Sequence, residues 1–200
     1  RGFETSVGPV AAYSTLGWFS DPVLSSVLHY PDAQLAELVF HELAHELLFI
    51  PDDTTFNESF ATFVARAGVE RWLTDSGRAS ELKEFRRDTG RQDATVNLIR
   101  NTRMRLVELY RSSIQATDKR RQKNRILDEL MAKYFEMRKT GTVSDWDRWF
   151  EEGLNNAKLA SVGSYHDDVG LFVALFEQSD RDFEVFYQSA RAHAIRSGSP

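Results

Sequence analysis

Residues 41–45 read His-Glu-Leu-Ala-His, within the longer stretch 32–61, DAQLAELVFHELAHELLFIPDDTTFNESFA. Residues i and i+4 lie on one face of an α-helix, one turn apart, so a helix here places both imidazoles side by side. Two such imidazoles can bind one divalent metal ion, most often zinc. The pattern predicts a metal site at His41 and His45, with Glu42 as general base for a water that the metal activates. The alternative is a helix with two hydrogen-bonded structural histidines.

The flanking residues predict two helices joined by a short loop. Asp32 is expected to cap a first helix over residues 33–49, whose apolar residues cover most of its circumference and predict burial. Pro51 ends this helix, and a second one is predicted over residues 55–74. Because polar groups on a buried helix need partners, a shared metal ion would account for both imidazoles at once.

Glu58 is the candidate third ligand. It lies on the first turn of the second predicted helix, and a short loop can bring its carboxylate back to the metal, leaving the fourth position for water. The alternative is structural, because Thr55-x-x-Glu58 is a capping-box pattern in which the glutamate satisfies the start of the helix.

Composition restricts the remaining possibilities. The 200 residues are 42% hydrophobic, enough for a folded core, and their net charge of −5 predicts no general attraction to nucleic acid or anionic lipid. The absence of cysteine excludes disulfides, thiolate zinc sites and cysteine nucleophiles within these residues. The sequence starts at Arg1, and we expect an additional N-terminal portion in the longer protein.

The remaining segments predict a mainly α (α+β) fold with a single domain over residues 1–200. Residues 1–20 predict a small N-terminal β element, either a structural hairpin or an edge that pairs with extended substrate. Residues 79–139 predict a long antiparallel helical hairpin. Shorter helices are predicted over residues 144–151, 168–178 and 180–195.

One segment has a charge opposite to that of the whole chain. Residues 83–125 contain 13 Lys or Arg and 5 Asp or Glu. They could form a nucleic-acid-binding surface that includes Arg120, Arg121 and Lys123. The commoner explanation is a solvated helical surface, because the basic residues are spread around the helices instead of forming one stripe. We therefore expect no nucleic-acid partner.

The zinc motif and Asn57-Glu58-Ser59-Phe60-Ala61 resemble the gluzincin peptidases, including thermolysin and the aminopeptidase N group, although the interval between the motifs is shorter here. The chain is also similar, in residues 12–19, 155–157 and 165–167, to a bacterial family of putative aminopeptidases, often envelope lipoproteins. This resemblance implies a zincin-like helical domain with one zinc ion per chain, held by His41, His45 and Glu58. It also implies a periplasmic or envelope location and a membrane tether through an upstream segment.

The resemblance further implies a catalytic arrangement. Glu42 would be the general base and proton shuttle. Gluzincins stabilise the oxyanion with a Tyr or His from a distant segment, and Tyr165 and His166 are the candidates here, unless they are structural residues at a helix start. The predicted function is zinc-dependent hydrolysis of peptide or protein substrates. The alternative is a non-catalytic, zinc-stabilised scaffold that binds a partner through the helical hairpin.

An aminopeptidase needs one further group, a carboxylate that binds the charged N-terminus of the substrate. The aminopeptidase N group places one on the strand before the zinc helix, but residues 11–18 contain no acidic residue here. Glu37, Asp167 and Asp168 are the remaining candidates, and the sequence does not select among them.

Overall fold

The computed structural model describes residues 4–7, 29–139, 145–163 and 168–196, and these ranges contain helices but no strand. The mainly helical class is therefore confirmed. The predicted β element falls largely on residues outside the description, and residues 4–7 form no strand. No helix within the described ranges is both long and apolar enough to span a membrane. The helices are α1 (Asp32–Leu47), α2 (Thr54–Asp75), α3 (Ala79–Arg111), α4 (Ala116–Arg138), α5 (Asp145–Glu151), α6 (Asn156–Gly163), α7 (Val169–Gln178) and α8 (Phe183–Arg196).

The chain forms two compact units, and the boundary between them falls within α3. One unit comprises Arg1–Gly8 with Gly90–Gly163, and the other comprises Pro9–Thr89 with Ser164–Pro200. We call them the hairpin unit and the motif unit, because they contain the predicted hairpin helices and the His-Glu-x-x-His motif respectively. The single domain over residues 1–200 stays a prediction, since two compact units can still fold together.

The central helix of the motif unit is α2, which packs against both α1 and α7. Its side chains are buried on several faces, and Phe60 is fully buried. The Phe60 ring centroid lies 5.5 Å from that of Phe172 and 6.0 Å from that of Phe186, so one aromatic cluster joins α2, α7 and α8. Glu58 lies two residues before Phe60, and the same cluster therefore fixes the helix that carries it.

The prediction that α1 is a buried helix is wrong. Only Ala44 and His45 are buried on it, and the Leu43 side chain is 52% exposed. Because α2 takes the central position, one side of α1 is covered and the other faces solvent. The Asp32 cap is also wrong: Pro31 is the N-cap residue, and the Asp32 carboxylate instead accepts a hydrogen bond from Arg78 at 2.9 Å.

The hairpin unit has its own core. Residues of α3, α4, α5 and α6 form one hydrophobic cluster, in which the Tyr134 and Phe150 rings stack with centroids 3.9 Å apart. The buried Asp147 accepts a hydrogen bond from the Tyr134 hydroxyl and pairs with Arg138, both at 2.7 Å. The antiparallel direction of α3 and α4 stays a prediction.

Helix α6 was not predicted from the sequence. Its start is stabilised by Asn155, whose side-chain oxygen accepts a hydrogen bond from the Lys158 amide at 2.8 Å. The same asparagine donates to the Thr5 carbonyl at 3.1 Å, and the Asn156 amide donates to Glu4 at 2.8 Å. Residues 155–157, which contributed to the family resemblance, therefore hold the N-terminal segment on the hairpin unit.

Candidate metal centre

The packing of α1 against α2 brings together two imidazoles and one carboxylate. The Nε2 atoms of His41 and His45 lie 3.3 Å apart. Glu58 Oε2 lies 3.3 Å from His41 Nε2, and Glu58 Oε1 lies 3.7 Å from His45 Nε2. The side chains of His41, Glu58 and His45 are 21%, 18% and 9% exposed, so the group is largely sheltered but open on one side.

These distances fit a metal ion held by two histidines and a glutamate. Around a tetrahedral zinc ion with ligand bonds of about 2.0–2.2 Å, neighbouring donor atoms lie about 3.3–3.6 Å apart. The 3.3 Å between the two Nε2 atoms and the 3.3 Å from His41 Nε2 to Glu58 Oε2 match that spacing, and the other carboxylate oxygen, Oε1, lies 3.7 Å from His45 Nε2. The group His41, His45 and Glu58 could therefore hold one metal ion, and the spacing is compatible with zinc.

The electrostatics of His41, His45 and Glu58 also favour a bound cation. Burial, followed by the neighbouring His41, lowers the pKa of His45 below its usual value and outweighs the opposite effect of Glu58. A neutral imidazole offers a ring nitrogen lone pair, and the carboxylate of Glu58 offers further lone pairs. If both Nε2 atoms present their lone pairs, the facing atoms of the group are all acceptors and would repel one another at 3.3 Å without a proton or a cation between them. A divalent cation would satisfy all three at once.

The loop between α1 and α2 is held by Asn57. This asparagine is only 3% exposed. Its side-chain oxygen accepts a hydrogen bond from the Ile50 amide at 2.8 Å, and its side-chain nitrogen donates to the Ile50 carbonyl at 2.7 Å. Asp52 adopts the left-handed conformation with φ = 63°, which permits the tight reversal between the helices. The residue next to Glu58 therefore clamps the loop that sets the spacing between the two helices.

The start of α2 shows which residue caps this helix, and so bears on the capping-box alternative for Glu58. Asp53, not Thr55, is the N-cap residue, and its carboxylate accepts a hydrogen bond from the Phe56 amide at 3.0 Å. Glu58 lies beyond the first turn, with its carboxylate oxygens beside the two histidine rings. The cap and the candidate ligand are therefore different residues.

We expect Asn57→Ala to weaken zinc binding as well as folding. The substitution leaves the partly buried Ile50 amide without its partner and removes one of the two donors to the Ile50 carbonyl, which also accepts from the Asp53 amide at 3.3 Å. The lost hydrogen bonds cost about 1–3 kcal/mol in the free energy of unfolding. It also releases the loop that sets the position of Glu58, so zinc affinity falls by about 10–100-fold. Chemical denaturation of the metal-free protein and competition with a zinc chelator measure the two effects. Unchanged zinc affinity in a folded variant would contradict the clamp.

The other sequence-predicted site residues belong to α1 or to the segment that precedes α7 in the sequence. Glu42 lies on α1 and is half-buried, and its role as base stays a prediction. Tyr165, His166 and Asp167 lie outside the described residues. The adjoining Asp168 is exposed, and its backbone amide donates a hydrogen bond to the hydroxyl of Ser59 at 3.2 Å. This bond joins the start of α7 to the residue that follows Glu58.

One charged residue near the group was missed by sequence reasoning. Arg66 lies on α2, and its Nε atom lies 3.6 Å from Oε1 of Glu37 on α1. A periodicity argument could have found it, because positions 58, 62 and 66 share one face of α2. Helical spacing alone, however, does not show which residue on α1 faces it.

Fold and site together define a mainly helical protein with a candidate metal centre built from a His-Glu-x-x-His helix and a glutamate on the next helix. The family described as "Putative aminopeptidase" matches residues 1–197. The chain belongs to this family, as the sequence resemblance indicated, and the family's description is that of a hydrolase. Searches of the curated proteins and of the solved structures find no match.

Proposed function

We propose that this protein is a zinc-dependent peptidase of the His-Glu-x-x-His…Glu type. The observation that carries the proposal is the convergence of His41, His45 and Glu58 at separations of 3.3–3.7 Å. Membership of the aminopeptidase family supports peptides as the substrate class. The His₂Glu ligand set supports hydrolysis, because it is a set found in catalytic zinc sites that keep an open position.

The chain's own residues have distinct roles in the proposed reaction. A zinc ion held by His41, His45 and Glu58 would supply Lewis-acid polarisation and would make an attacking water more acidic. Glu42 accepts a proton from the attacking water and delivers it to the leaving amine nitrogen. Tyr165 or His166 donates a hydrogen bond to the oxyanion that forms at the scissile carbonyl. The bond between Asp168 and Ser59 supports this role, since it ties the chain next to these residues to the residue after Glu58.

Several basic side chains of the segment 83–125 form ion pairs within the protein. In the basic segment 83–125, Lys123 pairs with Glu4 and is 15% exposed, and Arg121 pairs with Asp118 at 2.6 Å. Arg105 pairs with Glu129 at 2.6 Å. Pairing within the protein reduces the positive field available to phosphates. We therefore do not propose a nucleic-acid partner.

Metal analysis combined with a peptide-library cleavage assay tests the proposal. We expect about one zinc ion per chain, hydrolysis that stops when a chelator removes the metal, and recovery when zinc is restored. Zinc bound without cleavage of any library member would overturn the peptidase and favour a zinc-stabilised scaffold. Cleavage that is insensitive to complete metal removal would overturn the metal mechanism.

A further inference from the structure

A second charged pair lies along the same helix faces as the candidate metal centre. Glu37 precedes His41 by one turn of α1, so residues 37, 41 and 45 form one stripe. Arg66 lies two turns after Glu58 on the matching face of α2. The two helices pack against each other, and Arg66 Nε lies 3.6 Å from Glu37 Oε1. The pair therefore lies next to the metal ligands, in the direction of the α1 N-terminus.

The position of Glu37 fits the length of a single amino-acid residue. One helical turn separates Glu37 from His41 by about 6 Å along the α1 axis. In a peptide, the N-terminal nitrogen lies two bonds of about 1.5 Å from its own carbonyl carbon. A charge-assisted hydrogen bond from that nitrogen to a carboxylate adds about 2.8 Å. A peptide whose first carbonyl lies at the metal centre would therefore place its amine within reach of Glu37.

The environment of Glu37 suits a cation. Its side chain is 27% exposed, whereas that of Arg66 is 15% exposed, so the carboxylate is the more accessible partner. A carboxylate has two oxygens with about four lone-pair sites, so it can keep Arg66 and still accept an ammonium group. The ion pair with Arg66 also favours one orientation of the Glu37 side chain. An exposed glutamate with no fixed partner would bind an amine less selectively.

Of the two candidate carboxylates within the described residues, Glu37 and Asp168, the structure favours Glu37. Asp168 is exposed at the start of α7, and Asp167 lies outside the described residues. Glu37 alone of the three lies on the same stripe of α1 as two metal-ligand candidates.

We propose that Glu37 binds the free N-terminal amine of a peptide substrate and that Arg66 is the residue that positions it. This inference rests on the proposed peptidase function, and it makes the protein an exopeptidase that acts on the first peptide bond. Selection then arises from charge: a free ammonium group gains a partner at Glu37, whereas an acetylated N-terminus does not.

The first test compares Glu37→Gln with the wild type on one peptide that has either a free or an acetylated N-terminus. We expect KM for the free peptide to rise about 10–100-fold, the range of a charge-assisted hydrogen bond, with a smaller change in kcat. The rate on the acetylated peptide should change little. Glu46→Gln is the matched control, because Glu46 is exposed on the same helix, and it should leave both rates unchanged. Equal losses on both peptides would overturn the assignment and make Glu37 a purely structural residue.

The second test is a binding measurement that does not depend on turnover. Calorimetry measures the binding of leucine amide and N-acetyl-leucine amide to the zinc-loaded protein. We expect leucine amide to bind more tightly to the wild type and to lose about 10-fold or more in affinity in Glu37→Gln. Glu37→Asp, which keeps the charge, should retain part of the preference. Equal binding of leucine amide to wild type and Glu37→Gln, or no binding, overturns the proposal. If no peptide is cleaved but this preference holds, the proposed peptidase function fails and the amine site stands.

Discussion

Glu42→Gln is expected to reduce kcat for peptide hydrolysis by about 10²–10⁴-fold while the zinc content per chain stays the same. Glutamine is close to glutamate in size, so α1 and the two histidines should keep their positions. It has no carboxylate to accept the proton of the attacking water, and that proton transfer is the step proposed for Glu42. Zinc content by metal analysis and single-turnover hydrolysis together measure the effect.

The result is informative only if the loss is specific to position 42. Glu46→Gln makes the same chemical change on an exposed position of α1, and we expect its activity to match the wild type. A Glu42→Gln variant as active as the wild type would show that another group is the base. A variant that has also lost zinc would show that Glu42 supports the metal site itself.

Glu58→Ala is expected to abolish stable zinc binding. The substitution leaves only the two histidine ligands. Substituting a residue that merely supports a ligand lowers metal affinity by about 10–100-fold, and the loss of a ligand itself should lower zinc affinity by more than that. The stabilisation that zinc gives the folded protein should be lost with it, about 4 kcal/mol for the wild type at a zinc concentration of 1,000 times Kd. Chelator competition and thermal unfolding with and without zinc measure both consequences.

Asp53→Ala is the matched control for this experiment, because Asp53 is the N-cap residue of the same helix. It should cost about 0.5–2 kcal/mol in the free energy of unfolding and leave zinc binding intact. Glu58→Ala should show the reverse, with zinc lost and little change in the stability of the metal-free protein. If Glu58→Ala kept its zinc and lost only stability, the glutamate would be structural and the ligand set would be wrong.

The sequence by itself determined the features that depend on local backbone geometry. An α-helix places residues four apart on one face whatever surrounds it, so the pairing of His41 with His45 followed from the motif alone. The mainly helical class and the positions of most helices followed from apolar periodicity in the same way. The resemblance to the aminopeptidase family depended on short motifs, and the family match over residues 1–197 agrees with it.

The tertiary structure decided what depends on contacts between helices. The sequence left Glu58 as either ligand or cap, because both roles fit the same spacing. The structure gives the cap to Asp53, and the loop clamp by Asn57, with the packing of α1 against α2, brings the Glu58 carboxylate beside the two imidazoles. The prediction that α1 is buried was wrong because hydropathy shows only that a helix can be covered by others. It does not show which helix lies at the centre of the core, and in the motif unit that helix is α2. The pairing of Glu37 with Arg66 likewise depends on how α1 and α2 pack, which no single-helix pattern contains.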